Sequence, residues 1–278
     1  GEESAMNLVD ALDVVARTDP GMVRSHNEDA VFGDEQLGLA ILADGMGGYN
    51  AGEVASGMAT TLLASHFSQI IPTSQPKIRE AGGDIQARRL LVEQISDTNS
   101  AIYNAAQSQP QYAGMGTTLV LAWFYDNLLS VAHVGDSRLY RLREEKFEQI
   151  TRDHSLLQEQ IDSGMITEDE ARFSQNKNLV TRALGVDPVV DPEIHEYVVQ
   201  AGDIYLLCSD GLNDMVEDEE IGLTLQTLGS NLALAADQLI QMANDNGGRD
   251  NVSVILVKIR GDYSAPQGRW QKLLAWLK

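Results

Sequence analysis

Thr117-Thr-Leu-Val-Leu-Ala-Trp-Phe-Tyr125, then Asp126-Asn127, then Leu128-Leu-Ser-Val-Ala-His-Val134: two apolar runs flank a polar pair. Runs rich in Val, Leu and aromatic residues read as strands, and Asp and Asn are turn residues. The pattern continues with Arg138–Leu142 and Phe147–Ile150 across Arg143-Glu-Glu145. Short strands joined by tight turns make an antiparallel meander.

Outward from this meander, Val14–Ala43 reads as two or three strands interrupted by the polar stretch Arg24-Ser-His-Asn-Glu-Asp29. Gly52–Ile70 has small and apolar residues at helical spacing (Val54, Met58, Leu62) and ends near Pro72, and Thr73–Asp84 has the Pro, Ser and Gly content of a surface loop. Ile85–Ser108 is a second helical pattern carried by Leu90, Leu91, Ile95, Ala101, Ile102 and Ala105, with Pro110 beyond its end. On the other side, periodicity weakens from Thr151 to about Val190, an insertion with short helical pieces at Ser155–Ser163 and Thr167–Phe173. Asp203–Cys208 returns to the core, Glu217–Asn244 supplies two helical patterns, and Asn251–Arg260 is a closing strand. Helices before and after many hairpins imply an α+β fold, a central sandwich of two antiparallel sheets flanked by helices. No repeat or linker divides it, so a single domain is expected over residues 7–262.

The chain has 278 residues, 43% of them hydrophobic, enough for a continuous core. A formal net charge of −21 argues against nucleic acid, which needs a basic footprint. Cys208, the single cysteine, lies in an apolar strand, so no internal disulfide can form and a cytoplasmic location fits. No apolar stretch approaches the roughly 20 residues that span a bilayer, and no export signal is recognised. At the C-terminus, residues 263–278 form a short tail in which Trp270, Leu273, Leu274 and Leu277 fall at i, i+3, i+4 and i+7, beside Arg269, Lys272 and Lys278. This amphipathic helix is expected to dock on its own domain rather than on a partner or a membrane.

Four aspartates punctuate the apolar runs. Asp44 follows Leu39–Ala43, Asp136 follows Ser130–Val134, Asp210 follows Ile204–Cys208, and Asp250 precedes Asn251–Val257. A single Asp-Gly pair is ordinarily a turn. Four carboxylates at strand ends can converge, and without His or Cys among them they suit a hard, oxygen-seeking cation such as Mg²⁺ or Mn²⁺.

In order, Arg24-Ser-His-Asn-Glu28-Asp29, Asp44-Gly-Met-Gly-Gly48, Gly52-Glu-Val-Ala-Ser56, Gly116-Thr-Thr118, Gly135-Asp-Ser-Arg138, Ser209-Asp-Gly211 and Arg249-Asp-Asn251 resemble the metal-dependent protein phosphatase family, type 2C, in its bacterial form. The resemblance spans roughly Val14 to Ile259. It implies a two-sheet sandwich flanked by helices and hydrolysis of phosphoserine and phosphothreonine esters with two Mn²⁺ or Mg²⁺ ions. Position by position, it makes Asp44 the carboxylate that bridges both ions, with Asp210 and Asp250 completing one and Glu28 and the Gly45 carbonyl the other. Asp136 matches a position associated with a third, weaker metal shared with Asp210. Asp29 would support metal-bound water, and Arg24 would grip the substrate phosphate through its planar fork of donors. A side chain at Gly45 is expected to crowd the metals. The chemistry implied is in-line attack by a metal-bridging hydroxide, without a covalent intermediate.

Two departures stand out. Met46 occupies a place where eukaryotic relatives often carry His, a candidate acid for the leaving group, and Tyr49 stands where many bacterial relatives have His. The leaving group then needs another proton donor, such as metal-bound water. The insertion from about 151 to 190 corresponds to the family's flap, for which substrate selection is the expected role.

Plainer roles fit several neighbouring residues. His26 is expected to face solvent, His133 to be a core or sheet residue, and His154 a turn or helix-start residue with Asp153 or Ser155 as the cap, its place at the root of the insertion leaving a minor catalytic role open. Ser137 and Ser209 have no base partner at a signature spacing, and Arg138 is expected to hold its loop by carboxylate hydrogen bonds. The resulting expectation is a monomeric phosphatase acting on proteins phosphorylated by a serine/threonine kinase. A phosphoprotein-binding module without turnover is the alternative, against which the intact carboxylate set speaks. A Ca²⁺-stabilised structural domain is a third, disfavoured by Arg24 and by the absence of an EF-hand loop.

Overall fold

The computed structural model describes residues 6–80, 84–174, 179–265 and 276–277, with backbone alone over 73–80 and 84–85. The chain opens with α1 (Leu8–Ala11), β1 (Leu12–Asp19), β2 (Asp29–Asp34) and β3 (Leu39–Met46), followed by two long helices, α2 (Ala51–Glu80) and α3 (Asp84–Ser108). Next come β4 (Gly116–Thr117), β5 (Leu119–Tyr125), β6 (Leu128–Val134), β7 (Arg138–Arg143) and β8 (Lys146–Gln149). The insertion carries α4 (Leu156–Asp162) and α5 (Glu168–Ala171) and leads to β9 (Glu193–Val198). The chain then forms β10 (Ile204–Cys208), α6 (Asp210–Asn213), α7 (Asp218–Leu228), α8 (Leu232–Asp245) and β11 (Val252–Ile259).

Two antiparallel sheets stack face to face. One has the order β1-β11-β10-β7-β8, the other β2-β3-β5-β6-β9 with β4 on the end of β3. Alternation along the strands decides the layering. Leu42, Val120, Ala122 and Val131 face Leu139, Tyr205, Leu207 and Ile255 across the sandwich, while Ile41, Leu121 and Trp123 face out under Leu63, Phe67, Leu91 and Ile95 of α2 and α3. Tyr140, Leu206, Val254 and Leu256 on the other outer face pack beneath Ile221, Leu225, Ala236 and Leu239 of α7 and α8. Burying apolar side chains in three such layers supplies about 25 cal/mol per Å² of apolar surface removed from water.

Three features depart from the sequence expectations. The meander is not one sheet. β5 and β6 pair as expected about Asp126 and Asn127, both left-handed at φ 49° and 59°, but β7 and β8 belong to the opposite sheet. Gly135-Asp-Ser137 is therefore the crossover between layers, and Gly135 adopts φ +107° to make it. Second, α2 runs to Glu80 where a loop was expected from Thr73. Pro72 removes a single donor, and the buried face of Ala55, Ala59, Leu63, Phe67 and Ile71 already anchors the helix that propagates beyond it. Third, β9 forms from Glu-Ile-His-Glu-Tyr-Val, an edge strand on β6 that carries only one buried side chain, Ile194, and so no apolar run to announce it.

The insertion itself agrees with its short helical pieces, capped by the Ser155 and Thr167 side chains. Trp270, Leu273 and Leu274 lie outside the described residues. Of the C-terminal pattern only Leu277 is described, helical and exposed beside Trp276.

Candidate metal centre

One end of the sandwich gathers the carboxylates because six strand termini meet there. Asp29 opens β2 opposite Asp44 near the end of β3, Asp210 opens α6 just past β10, Asp250 stands before β11, and Asp136 rides the crossover from β6 to β7. Carboxylate oxygens of Asp44, Asp210 and Asp250 lie within 4.8 Å of one another. With Arg24, Glu28, Gly45 and Asp136 they line one pocket. Every residue assigned to metal or phosphate on the basis of the sequence is thus brought together. Asp29 stands just behind, buried, with its Oδ2 accepting from Ser253 Oγ at 2.7 Å.

Backbone anchors hold these side chains in place. Asp44 N–H donates to Thr118 Oγ1 at 3.0 Å, and Thr118 N–H donates to the Asp44 carbonyl at 2.9 Å. Thr118 Oγ1 also bonds Ser137 Oγ at 2.7 Å, which ties the Asp44 strand to the residue after Asp136. Across the sandwich, Asn251 Oδ1 accepts from the Glu28 N–H at 2.8 Å while its Nδ2 donates to the carbonyls of Pro20 and His26 at 2.9 and 2.8 Å. The side chain next to Asp250 therefore shapes the loop that carries Glu28. Thr118 and Asn251 stood within the quoted motifs, yet the sequence assigned neither a role.

Packing of the protein itself already requires Gly45, besides the crowding expected at a metal. A Cβ there would sit 1.8 Å from the Gly52 carbonyl oxygen and 2.9 Å from that of Glu28. At Gly52, in turn, a Cβ would meet Glu28 Oε2 at 1.8 Å, so the start of α2 leaves the space that the Glu28 carboxylate fills.

Electrostatically the pocket is strained towards cation uptake. Loss of solvent, then the neighbouring carboxylates Asp29, Asp210 and Asp250, push Asp44 well above the usual carboxylate range, and burial followed by Asp250 raises Asp210. Burial, then Asp210 and Asp153, push Asp136 up to about 8. Asp29 rises to about 7, chiefly through burial. Asp210 Oδ1 is buried with no hydrogen-bond partner. Among the described residues, Arg24 is the one cation in the lining, 59% exposed, with its Nε 3.7 Å from Asp250 Oδ1. Arg138 spends its hydrogen bonds outside the metal set, forking onto Asp153 at 2.8 and 3.0 Å and reaching Tyr140 Oη at 2.7 Å, while its charge offsets only part of the rise of Asp136 and Asp210. It holds the loop by carboxylate bonds, as expected, and leaves Asp136 unpaired. An all-oxygen set with an orphaned buried oxygen and mutually repelling carboxyls fits hard divalent cations such as Mn²⁺ or Mg²⁺.

The remaining residues follow their plainer readings. His26 is exposed, His133 is buried in β6, Ser137 and Ser209 are spent on hydrogen bonds, and Cys208 is buried and free. Met46 lines the pocket, whereas Tyr49 is 90% exposed in a left-handed conformation.

The family profile for "Protein phosphatase 2C" matches residues 23–256. Serine/threonine protein phosphatase PstP of Mycobacterium tuberculosis is 42% identical over 260 residues, covering 94% of this chain and 47% of that protein. The chain thus spans about half the length of that relative. Serine/threonine phosphatase stp of Listeria innocua is 38% identical over 245 residues, covering 87% of this chain and 94% of that protein. Among solved structures, the M. tuberculosis phosphatase PstP/Ppp superposes with a TM-score of 0.80 at 40% identity, over 90% of this chain and 100% of that one. The catalytic domain of PstP in complex with two manganese ions gives 0.78 at 40% identity, over 90% and 99%.

Proposed function

The chain belongs to the protein phosphatase 2C family, and from that premise we propose that it is a metal-dependent phosphatase of phosphoserine and phosphothreonine in proteins. The observation that carries this reading is the convergence of Asp44, Asp210 and Asp250 from two different sheets within 4.8 Å, with Asp136 and Arg24 in the same pocket. Two Mn²⁺ or Mg²⁺ ions would be held by Asp44 together with Asp210 and Asp250 for one and with Glu28 and the Gly45 carbonyl for the other, and a third by Asp136 with Asp210. When bound, such ions supply activated water at neutral pH and neutralise phosphate charge.

The chain's own groups do the rest. Arg24, more than half exposed at the rim, presents a planar fork to the phosphate oxygens. Asp29, fixed by Ser253, orients water at the floor of the site. No histidine is among the described residues of the lining, and metal-bound water is the proposed source of the proton for the leaving seryl oxygen. Substrates phosphorylated by a serine/threonine kinase, a monomeric state, a single domain over 7–262 and a cytoplasmic location complete the proposal. The unpaired Cys208 supports the reducing compartment, and no helix among the described residues is long and apolar enough to cross a membrane.

One assay tests the function. Hydrolysis of an aryl phosphate and of a phosphothreonine peptide should require Mn²⁺ or Mg²⁺, fail with chelator, and not be sustained by Ca²⁺. Peptide binding without turnover under every metal condition would overturn it.

A further inference from the structure

Residue 154 holds the crossover that carries Asp136 by both of its neighbouring peptide groups. The Gly135 N–H donates to His154 Nδ1 at 3.0 Å, and the His154 N–H donates to the Gly135 carbonyl at 2.9 Å. One peptide plane enters Gly135 and the other leads into Asp136, so a single residue fixes both. The link needs such a hold, because Gly135 sits at φ +107°, a conformation open to glycine and therefore easily left. On the far side of Asp136 the chain is pinned by Ser137 Oγ to Thr118 Oγ1 at 2.7 Å. Asp136 itself makes no hydrogen bond through its carboxylate among the described residues, and its direction is set by these two neighbours.

The ring's tautomer follows from the same geometry. Nδ1 accepts, so the proton of the neutral ring is on Nε2, which is buried without a hydrogen-bond partner and 3.8 Å from Glu193 Oε1. Burial, then His133 and Arg182, lower its pKa to about 4, in keeping with a neutral acceptor. His133 stacks on it at 4.5 Å with its Nε2 2.8 Å from the Arg152 carbonyl, to which it must donate. Ligand atoms of His133, His154 and Glu193 lie within 4.8 Å of one another, the spacing of a metal site. With a hydrogen on both Nε2 atoms, the trio is not a cation site, and the histidines serve the backbone instead.

We propose that His154 is a positioning residue for Asp136: its Nδ1 and backbone N–H together aim that carboxylate at the metal pocket. This rests on the phosphatase reading of the same pocket. The insertion supports it, since Thr181 N–H donates to the His154 carbonyl at 3.0 Å and Ser155 bridges Val180, so the returning half of the insertion is tied back to its root at this residue.

The test compares His154→Asn, whose Oδ1 can occupy the place of Nδ1, with His154→Gln and His154→Leu, which offer no acceptor there. In metal-free protein, amide exchange by ¹⁵N NMR should leave the Gly135 N–H protected in wild type and His154→Asn and exposed in His154→Gln. The Mn²⁺ concentration for half-maximal phosphatase activity should stay near wild type in His154→Asn and rise about tenfold in His154→Gln and His154→Leu, the low end of outer-shell effects on metal sites. Equal behaviour of the Asn and Gln variants in both measurements overturns the proposal, and the Asn–Gln pair decides it if His154→Leu does not fold. If wild type proves to have no phosphatase activity, the function fails separately, and the amide exchange still decides whether His154 holds Gly135.

Discussion

Asp44 and Thr118 exchange two hydrogen bonds, side chain to backbone at 3.0 Å and backbone to backbone at 2.9 Å. Thr118→Val keeps the shape and deletes the acceptor, leaving the Asp44 N–H unpaired beside a buried methyl. An orphaned buried donor costs about 1–3 kcal/mol. The urea midpoint of metal-free Thr118→Val should fall accordingly, and its Mn²⁺ affinity should weaken because Asp44 is no longer held. An unchanged midpoint and affinity would show that the hydroxyl is dispensable.

Asp44→Ala and Asp210→Ala should lose turnover by more than about 100-fold at saturating Mn²⁺, beyond what loss of an outer-shell partner costs. Stability should move the other way. Asp210 is raised by burial and by Asp250, so Asp210→Asn removes repulsion from a crowded site, and metal-free Asp210→Asn should melt above wild type at pH 8. Near-normal activity in the alanine variants would remove these two residues from the metal set.

Arg24 reaches Asp250 only at 3.7 Å and is mostly exposed, so Arg24→Ala should leave calorimetric Mn²⁺ binding close to wild type. KM for a phosphothreonine peptide should rise about tenfold, the loss of roughly 1.4 kcal/mol of charge-assisted hydrogen bonding. Loss of metal binding in this variant would assign Arg24 to the cations rather than to phosphate.

The raised carboxyls fix the sign of the pH dependence. Burial pushes Asp136 up to about 8 and Asp29 up to about 7 in the folded chain, against the ordinary aspartate value of 3.8. Between those limits the native state keeps protons that the unfolded chain has released, so stability falls as pH rises through this window and levels off above it. Urea melts in chelator from about pH 4 to 9 should follow that course. Excess Mn²⁺ should reverse the loss at the alkaline end, because it binds the ionised carboxylates. A flat profile would mean that water reaches these groups freely.

What could be read from the sequence was whatever local pattern encodes. The hairpin of β5 and β6 was legible because Asp126-Asn127 turns between two apolar runs, and the carboxylates were legible as polar residues ending buried strands. The change of sheet at Gly135-Asp-Ser137 was not, because a three-residue link looks the same whether the next strand joins its own sheet or the facing one. β9 was hidden by its exposed side chains, and the length of α2 by Pro72. Thr118 and Asn251 escaped for another reason. Their partners Asp44 and Glu28 are 74 and 223 residues away, and no local pattern reports a bond of that separation.

The crossover at Gly135-Asp-Ser137 has a consequence for the order of assembly. Asp44 lies on one sheet, Asp210 and Asp250 adjoin the strand ends of the other, and Asp136 is in the link between them. Neither layer alone holds all of the proposed ligands. If these carboxylates hold the ions, affinity for divalent cations would arise only when the two sheets dock, and a chain that has formed its hairpins but not closed the sandwich should be blind to Mn²⁺. An ion bound there would latch one end of the sandwich, and the onset of metal binding during refolding would be a clock for its closure.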